Sequence, residues 1–147
     1  MSDIYDFHRF LTAQAPTYDT VLAELRAGRK SSHWIWFIFP QIAGLGHSAM
    51  AQQFAIGSLD EATAYLQHPV LGHRLRECTQ LVLNVEGRTI EEIFPYPDNL
   101  KFCSCMTVFM TATIDNTVFK NSLLKYFDGR PDQLTIQVLA RHNMPRG

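Results

Sequence analysis

A short loop of glycines and a serine has the composition of an anion-binding turn. Gly44 and Gly46 are separated by one residue, and Ser48 follows at a position that can cap a helix. Glycines let backbone N–H groups approach a phosphate, and a helix N-terminus adds partial positive charge. The loop lacks the lysine of a P-loop and does not match the dinucleotide-binding fingerprint. It can therefore be an anion cradle or a plain turn that caps a helix.

Two cationic side chains could contribute to the same anion-binding site. Arg74 lies in a long helical pattern, where its guanidinium can bind a carboxylate or phosphate or pair with Glu61 or Glu77. Lys101 precedes Ser104 by three residues, so on a helix its ammonium can pair with an anion or lower the pKa of the serine hydroxyl. Ser104 has neither a Gly-x-Ser-x-Gly elbow nor a following Ser-x-x-Lys lysine. A solvated helix face or a packing contact is the alternative interpretation.

His33 and His68 are the candidates for a general acid or base. His33 and Gln41 flank an apolar run, where a polar group needs a hydrogen-bond partner, solvent or a ligand. Either histidine can instead have a purely structural role. The spacing of five between His68 and His73 differs from the i, i+4 spacing of helical metal ligands, so we predict no metal site and no cofactor.

Both tryptophans, Trp34 and Trp36, lie in an aromatic run that ends at Pro40. Such a run can form a core, because buried aromatic side chains dominate core energetics, or one wall of a ligand pocket. Its alternating pattern is compatible with a strand, but no second run of similar quality could pair with it. We therefore predict a helical turn or an irregular segment that lies across the core.

About eight apolar patterns with helical spacing, each ended by a cap, a glycine or a proline, predict the elements that position these residues. Ser58 with Glu61, and Thr89 with Glu92, have the spacing of capping boxes at helix starts. The prediction is an all-α fold, with residues 1–147 forming a single compact domain of about eight short helices.

The composition restricts the class of protein. Hydrophobic residues make up 46% of the 147 residues and charged residues 18%, which is typical of a globular domain. A net charge of −1 gives no basic face for duplex nucleic acid. The apolar run from Trp34 to Phe39 is far shorter than the roughly 20 residues of a membrane span, and Asp3 and Asp6 are atypical of a signal peptide. We predict a cytoplasmic protein that binds neither membrane nor duplex nucleic acid.

Several motifs along nearly the whole chain resemble one protein family. They are His33-Trp34-Ile35-Trp36-Phe37-Ile38-Phe39-Pro40-Gln41, Gly44-Leu45-Gly46 with Ser48, Glu61-Ala62 with Tyr65-Leu66, His68-Pro69, Leu71-Gly72 with Arg74-Leu75, and Lys101-Phe102 with Ser104 and Met106-Thr107. In these motifs the chain is similar to a bacterial family catalogued as domain of unknown function number 1810. The resemblance implies a mainly helical fold and no established activity. Some members carry the label calpastatin, to which we give no weight, since a calpain inhibitor acts as a disordered chain.

The first hypothesis for function is a pocket for a nucleotide-like or phosphorylated small molecule, which serves binding alone or a hydrolase or transferase reaction. The binding residues of this pocket would be Trp34, Trp36, Gln41, Gly44, Gly46, Ser48, Arg74, Lys101 and Ser104, and the catalytic residues would be His33 and His68. The alternatives are a noncatalytic interaction module that binds a protein through the aromatic stretch 33–41, or a homo-oligomer with that stretch at its interface.

Overall fold

A computed structural model describes residues 3–142, and within them the chain forms ten α-helices. These are α1 (His8–Gln14), α2 (Tyr18–Arg26), α3 (Ile35–Ile38), α4 (Ala49–Gln53), α5 (Leu59–Gln67), α6 (Leu71–Asn84), α7 (Ile90–Ile93), α8 (Asp98–Ala112), α9 (Thr117–Phe127) and α10 (Gln133–His142). Within that range, β-type pairing is limited to one isolated parallel bridge between Ile42 and Ile56. The all-α prediction is confirmed, although the helices number ten instead of about eight.

Helix α8 forms the centre of the packing. Every side chain from Phe102 to Phe109 is buried, because α5, α9, α10 and the short helices α3 and α7 all pack against this helix. A helix that is covered on all sides needs no polar face. Its buried hydroxyl groups form hydrogen bonds with other protein groups, as in the 2.7 Å hydrogen bond between Ser104 Oγ and Thr135 Oγ1 of α10.

The aromatic run forms the single turn α3 and lies across the core, as predicted. Trp34 and Phe39 are both fully buried, and Phe94 forms a T-shaped ring contact with each of them. Phe102 of α8 contacts Phe39 with ring centroids 5.0 Å apart. The run is therefore mainly core, and Trp36 is its one partly exposed tryptophan.

The two predicted capping boxes differ. At α7, Thr89 Oγ1 accepts a hydrogen bond from the backbone N–H of Glu92, whose carboxylate accepts one from the backbone N–H of Thr89. At α5, Ser58 caps the backbone of Glu61, but the Glu61 carboxylate accepts from the N–H of Gly57 instead. Among the described residues, none of the helices has both the length and the apolarity needed to span a membrane.

Candidate functional site

A cavity of about 360 Å³ lies between two segments, residues 30–36 and 95–101, each of which contains a loop and the first turn of the helix that follows it. We call it the lysine cleft. Its lining consists of Lys30, Ser31, Ser32, His33 and Trp36 from one segment and Pro95, Tyr96, Pro97, Asp98 and Lys101 from the other. A backbone hydrogen bond of 2.8 Å from Lys30 N to the carbonyl oxygen of Ile93 joins the two segments. The volume is at the lower end of the range of about 300–1,000 Å³ that is typical of small-molecule sites.

Two ammonium groups share one carboxylate in this cleft. Lys30 Nζ lies 2.7 Å from Asp98 Oδ2, and Lys101 Nζ lies 3.5 Å from Asp98 Oδ1. The side chain of Lys30 is only 7% exposed, whereas that of Lys101 is 24% exposed. Asp98 compensates the buried charge of Lys30, which would otherwise be costly to desolvate. These three side chains together leave the cleft with one net positive charge.

Aromatic rings form the apolar part of the lining. Lys101 Nζ lies 5.1 Å from the ring centroid of Trp36, within the range of a cation–π contact. Tyr96 is 76% exposed, although it is a large aromatic residue. Trp34 lies under the cleft, where its buried ring is 5.3 Å from Lys30 Nζ. A planar ligand would therefore meet Trp36 and Tyr96, and Trp34 would support Lys30 from the core.

Glu24 of α2 holds one wall of the cleft in place. Its Oε1 accepts hydrogen bonds from the backbone N–H groups of Ser31 (2.7 Å) and Ser32 (3.0 Å) and from Trp34 Nε1 (3.0 Å), while Oε2 accepts from Ser32 Oγ (2.5 Å). Burial raises the pKa of the Glu24 carboxyl, but the hydrogen bonds from Ser32, Ser31 and Trp34 outweigh it and lower the pKa to about 2. The ionised carboxylate thus fixes the loop that carries His33.

Replacing Glu24 by glutamine should lower the free energy of unfolding at pH 7 by about 2–3 kcal/mol, since an amide has one acceptor oxygen and hydrogen bonds to charged groups are strong. The folded pKa lies below the ordinary value of 4.5. The carboxylate therefore stabilises the fold above pH 4.5, and that contribution is lost as the pH falls towards 2. Urea unfolding at several pH values should show the difference between wild type and Glu24→Gln shrinking over this interval. A difference independent of pH, or an equal one for Glu86→Gln at an exposed carboxylate, would contradict this role.

Three of the residues singled out from the sequence line the lysine cleft, namely His33, Trp36 and Lys101. His33 is exposed at the end of the loop that Glu24 holds. Trp34, placed in the same pocket by the sequence hypothesis, lies in the core instead because its ring packs on other aromatic rings. The cleft thus contains fewer residues of the expected site than the sequence hypothesis placed in one pocket.

The glycine loop lines a different cavity, of about 160 Å³, together with Gln41. Gly44 and Gly46 contribute to it, and Gly44 has a φ of +101°, which favours glycine. Ser48 caps α4 by accepting a hydrogen bond from Ala51 N (3.1 Å). The expected convergence of this loop with Lys101 is wrong, because the two belong to separate cavities. The hydrogen bond of Ser48 agrees with the second interpretation of the loop, a turn that caps a helix.

Arg74 is engaged by neighbouring helices and lines neither cavity. Its guanidinium lies 4.6 Å from the ring centroid of Tyr18 and donates to Gln14 Oε1 at 3.2 Å. Among the described residues Arg74 forms a salt bridge with neither expected carboxylate; Glu61 pairs with Arg9, and Glu77 accepts a hydrogen bond from Tyr18. The structure therefore separates Arg74 from Lys101.

His68 and Ser104 also lie outside the cleft. His68 Nδ1 accepts hydrogen bonds from the backbone N–H groups of Val70 (3.1 Å) and Leu71 (3.2 Å), so it caps the start of α6. Ser104 is buried against Thr135 and therefore cannot line a cleft beside Lys101. Within residues 3–142, no group of three His, Cys, Asp or Glu side chains is placed to hold a metal ion.

Lys30, Asp98 and Tyr96 are cleft residues that the sequence reasoning missed. Lys30 ends a basic group that leads directly into the aromatic run, and this position was a usable signal. Asp98 follows Pro95 and Pro97 and is the first residue of α8, with Pro97 at the N-cap position, and its carboxylate pairs with the two lysines.

Comparisons with known proteins place the chain in a family. The family model described as protein of unknown function (DUF1810) matches residues 4–139. A similar solved structure is that of the conserved hypothetical protein Rv1873 from Mycobacterium tuberculosis, which is 56% identical, with a TM-score of 0.93 and coverage of 94% of this chain and 99% of that one. No curated protein matches the chain. The resemblance inferred from the motifs is confirmed, and the chain belongs to the DUF1810 family of proteins of unknown function.

Proposed function

We propose that the lysine cleft binds a small phosphorylated molecule. The observation that carries the proposal is the meeting of two ammonium groups, Lys30 and Lys101, with a single carboxylate, Asp98, in one cavity. A buried lysine is uncommon, and a cavity with unbalanced positive charge attracts an anion. Phosphate oxygens accept strong hydrogen bonds from ammonium groups.

Lys101 is the lysine best suited to bind such a ligand. Its 3.5 Å separation from Asp98 is longer than the 2.7–3.2 Å of a normal hydrogen bond, so its N–H groups remain available. Trp36 offers a partly exposed ring for a planar group such as a nucleobase. His33 lines the same cavity and is the imidazole in position to serve as general acid or base if the bound molecule is hydrolysed or transferred.

Calorimetric titration with adenosine monophosphate tests the proposal. We expect saturable binding by the wild type and binding weakened about ten- to hundredfold by Lys101→Ala, since a hydrogen bond to a charged group contributes about 1.5–3 kcal/mol. The matched control is Lys120→Ala, which removes the same charge from an exposed position on α9 that lines neither cavity. Absence of binding, or equal weakening by both variants, would contradict the proposal.

The alternative of a protein interface formed by the stretch 33–41 has little structural support. Trp34, Phe37 and Phe39 are buried, so a partner could reach mainly His33 and Trp36. Interface cores are built from accessible apolar and aromatic side chains. The same burial weakens the hypothesis of a homo-oligomer that uses this stretch.

A further inference from the structure

We infer that the lysine cleft selects sugar monophosphates, including nucleoside monophosphates, over nucleoside di- and triphosphates, and that Asp98 is the residue that sets this preference. The inference rests on the proposed function and adds the class of ligand to it. It combines three features of the cleft, namely its net charge, the unused acceptor positions of one carboxylate and its volume.

Charge is the first feature. The ammonium groups of Lys30 and Lys101 and the carboxylate of Asp98 give the lining one net positive charge. The carboxylate of Glu24 lies outside the lining, where four hydrogen bonds from Ser31, Ser32 and Trp34 satisfy it. A phosphomonoester carries a charge of about −1.5 to −2 at pH 7, of which this cluster balances about one unit. Each further phosphate brings negative charge without a new cation, and the carboxylate repels it.

The second feature is the set of acceptor positions on Asp98. An ionised carboxylate has about four lone-pair sites. Each oxygen of Asp98 faces one ammonium group, and among the described residues it has no other hydrogen-bond donor. The ion pair with the buried Lys30 holds this carboxylate in place. Its remaining lone pairs therefore form a fixed hydrogen-bond acceptor next to the ammonium groups that would bind the phosphate. Sugar hydroxyls donate hydrogen bonds to such an acceptor, whereas ionised phosphate oxygens only accept them.

Volume is the third feature. A cavity of about 360 Å³ is close to the lower limit of about 300 Å³ for small-molecule sites. It suits one phosphate attached to one sugar, with any base placed towards Trp36 and Tyr96 at the rim. A chain of two or three phosphates would compete with the sugar for the same space.

The test compares ribose 5-phosphate, phenyl phosphate and adenosine triphosphate by calorimetry at matched ionic strength, without divalent cations. For the wild type we expect ribose 5-phosphate to bind at least about tenfold more tightly than either of the others, a difference of about 1.4 kcal/mol. Asp98→Asn keeps the shape of the side chain and removes its charge, so it should reduce both preferences to less than about threefold by improving triphosphate binding and weakening sugar phosphate binding.

A second variant covers the case in which Asp98→Asn fails to fold because Lys30 loses its counterion. Asp98→Glu keeps the charge and displaces the carboxylate, so it should still discriminate against adenosine triphosphate but lose the preference for ribose 5-phosphate over phenyl phosphate. Equal or tighter binding of triphosphate by the wild type overturns the inference. An unchanged preference for ribose 5-phosphate over phenyl phosphate in the variant that folds also overturns it. The proposed function survives both results, because it is tested separately by the binding of adenosine monophosphate to the wild type and by the comparison of Lys101→Ala with Lys120→Ala.

Discussion

Replacing Trp34 by alanine is expected to lower the free energy of unfolding by about 3–5 kcal/mol, the usual cost of removing a buried tryptophan. Its ring is fully buried and contacts Phe39 and Phe94 with centroids 6.2 Å away in each case. Its indole N–H is also one of the four groups that donate to Glu24. The substitution therefore opens a cavity in the core and removes one anchor of the cleft wall. Urea unfolding monitored by circular dichroism measures the change.

Trp36→Ala is the matched control, because it removes the neighbouring tryptophan from a partly exposed position. We expect a loss of about 1 kcal/mol or less, together with weaker binding of adenosine monophosphate. The two substitutions should thus separate a core tryptophan from a cleft tryptophan. A larger loss of stability for Trp36→Ala than for Trp34→Ala would contradict the assignment of the two rings.

Gly72→Ala is the second substitution with a large expected effect. A β-carbon at Gly72 would lie 2.0 Å from the backbone carbonyl oxygen of Leu66, where α5 and α6 approach each other. Gly72 is the second residue of α6, and within a helix alanine is more favourable than glycine by up to about 1 kcal/mol. Here the overlap with backbone atoms requires the helices to separate, so we expect destabilisation by about 3 kcal/mol. The sign of the change is thus opposite to that given by helix propensity.

Gly87→Ala provides the comparison for Gly72→Ala. A β-carbon at Gly87 would meet no atom within 4 Å, and its φ of +73° alone should cost about 1–2 kcal/mol. Thermal unfolding of both variants measures the contrast. A melting temperature of Gly72→Ala equal to or above that of the wild type would show that α5 and α6 are not in such close contact.

The sequence was informative where a structural feature depends on nearby residues. The capping box of Thr89 and Glu92 forms as predicted, since both partners belong to one helical turn. The single turn α3 also follows from local reasoning, because an aromatic run without a partner strand cannot satisfy its backbone as a sheet. The all-α fold is the sum of such local signals.

The candidate site was less predictable, because its residues meet only through tertiary packing. Lys30 and Asp98 are far apart in the chain, and the sequence gives each of them several possible partners. For Arg74 the sequence predicted an anion-binding role that the structure does not support. Its guanidinium instead contacts Tyr18 and Gln14, which belong to two other helices. Pairing between distant charged residues depends on how the helices cross, which spacing within one segment does not specify.

The most direct test of the proposed cleft uses the two tryptophan side chains of the unmodified chain as reporters. In a ¹H–¹⁵N correlation spectrum each indole N–H gives one resonance, and Trp36→Phe assigns them. On titration with adenosine monophosphate, we expect saturable shifts of the Trp36 indole and of the backbone amides of residues 30–33, which line the cleft. Shifts confined to residues 41–46 of the second cavity, or no saturable shift of the Trp36 indole, would contradict the assignment of the lysine cleft as a phosphate-binding site.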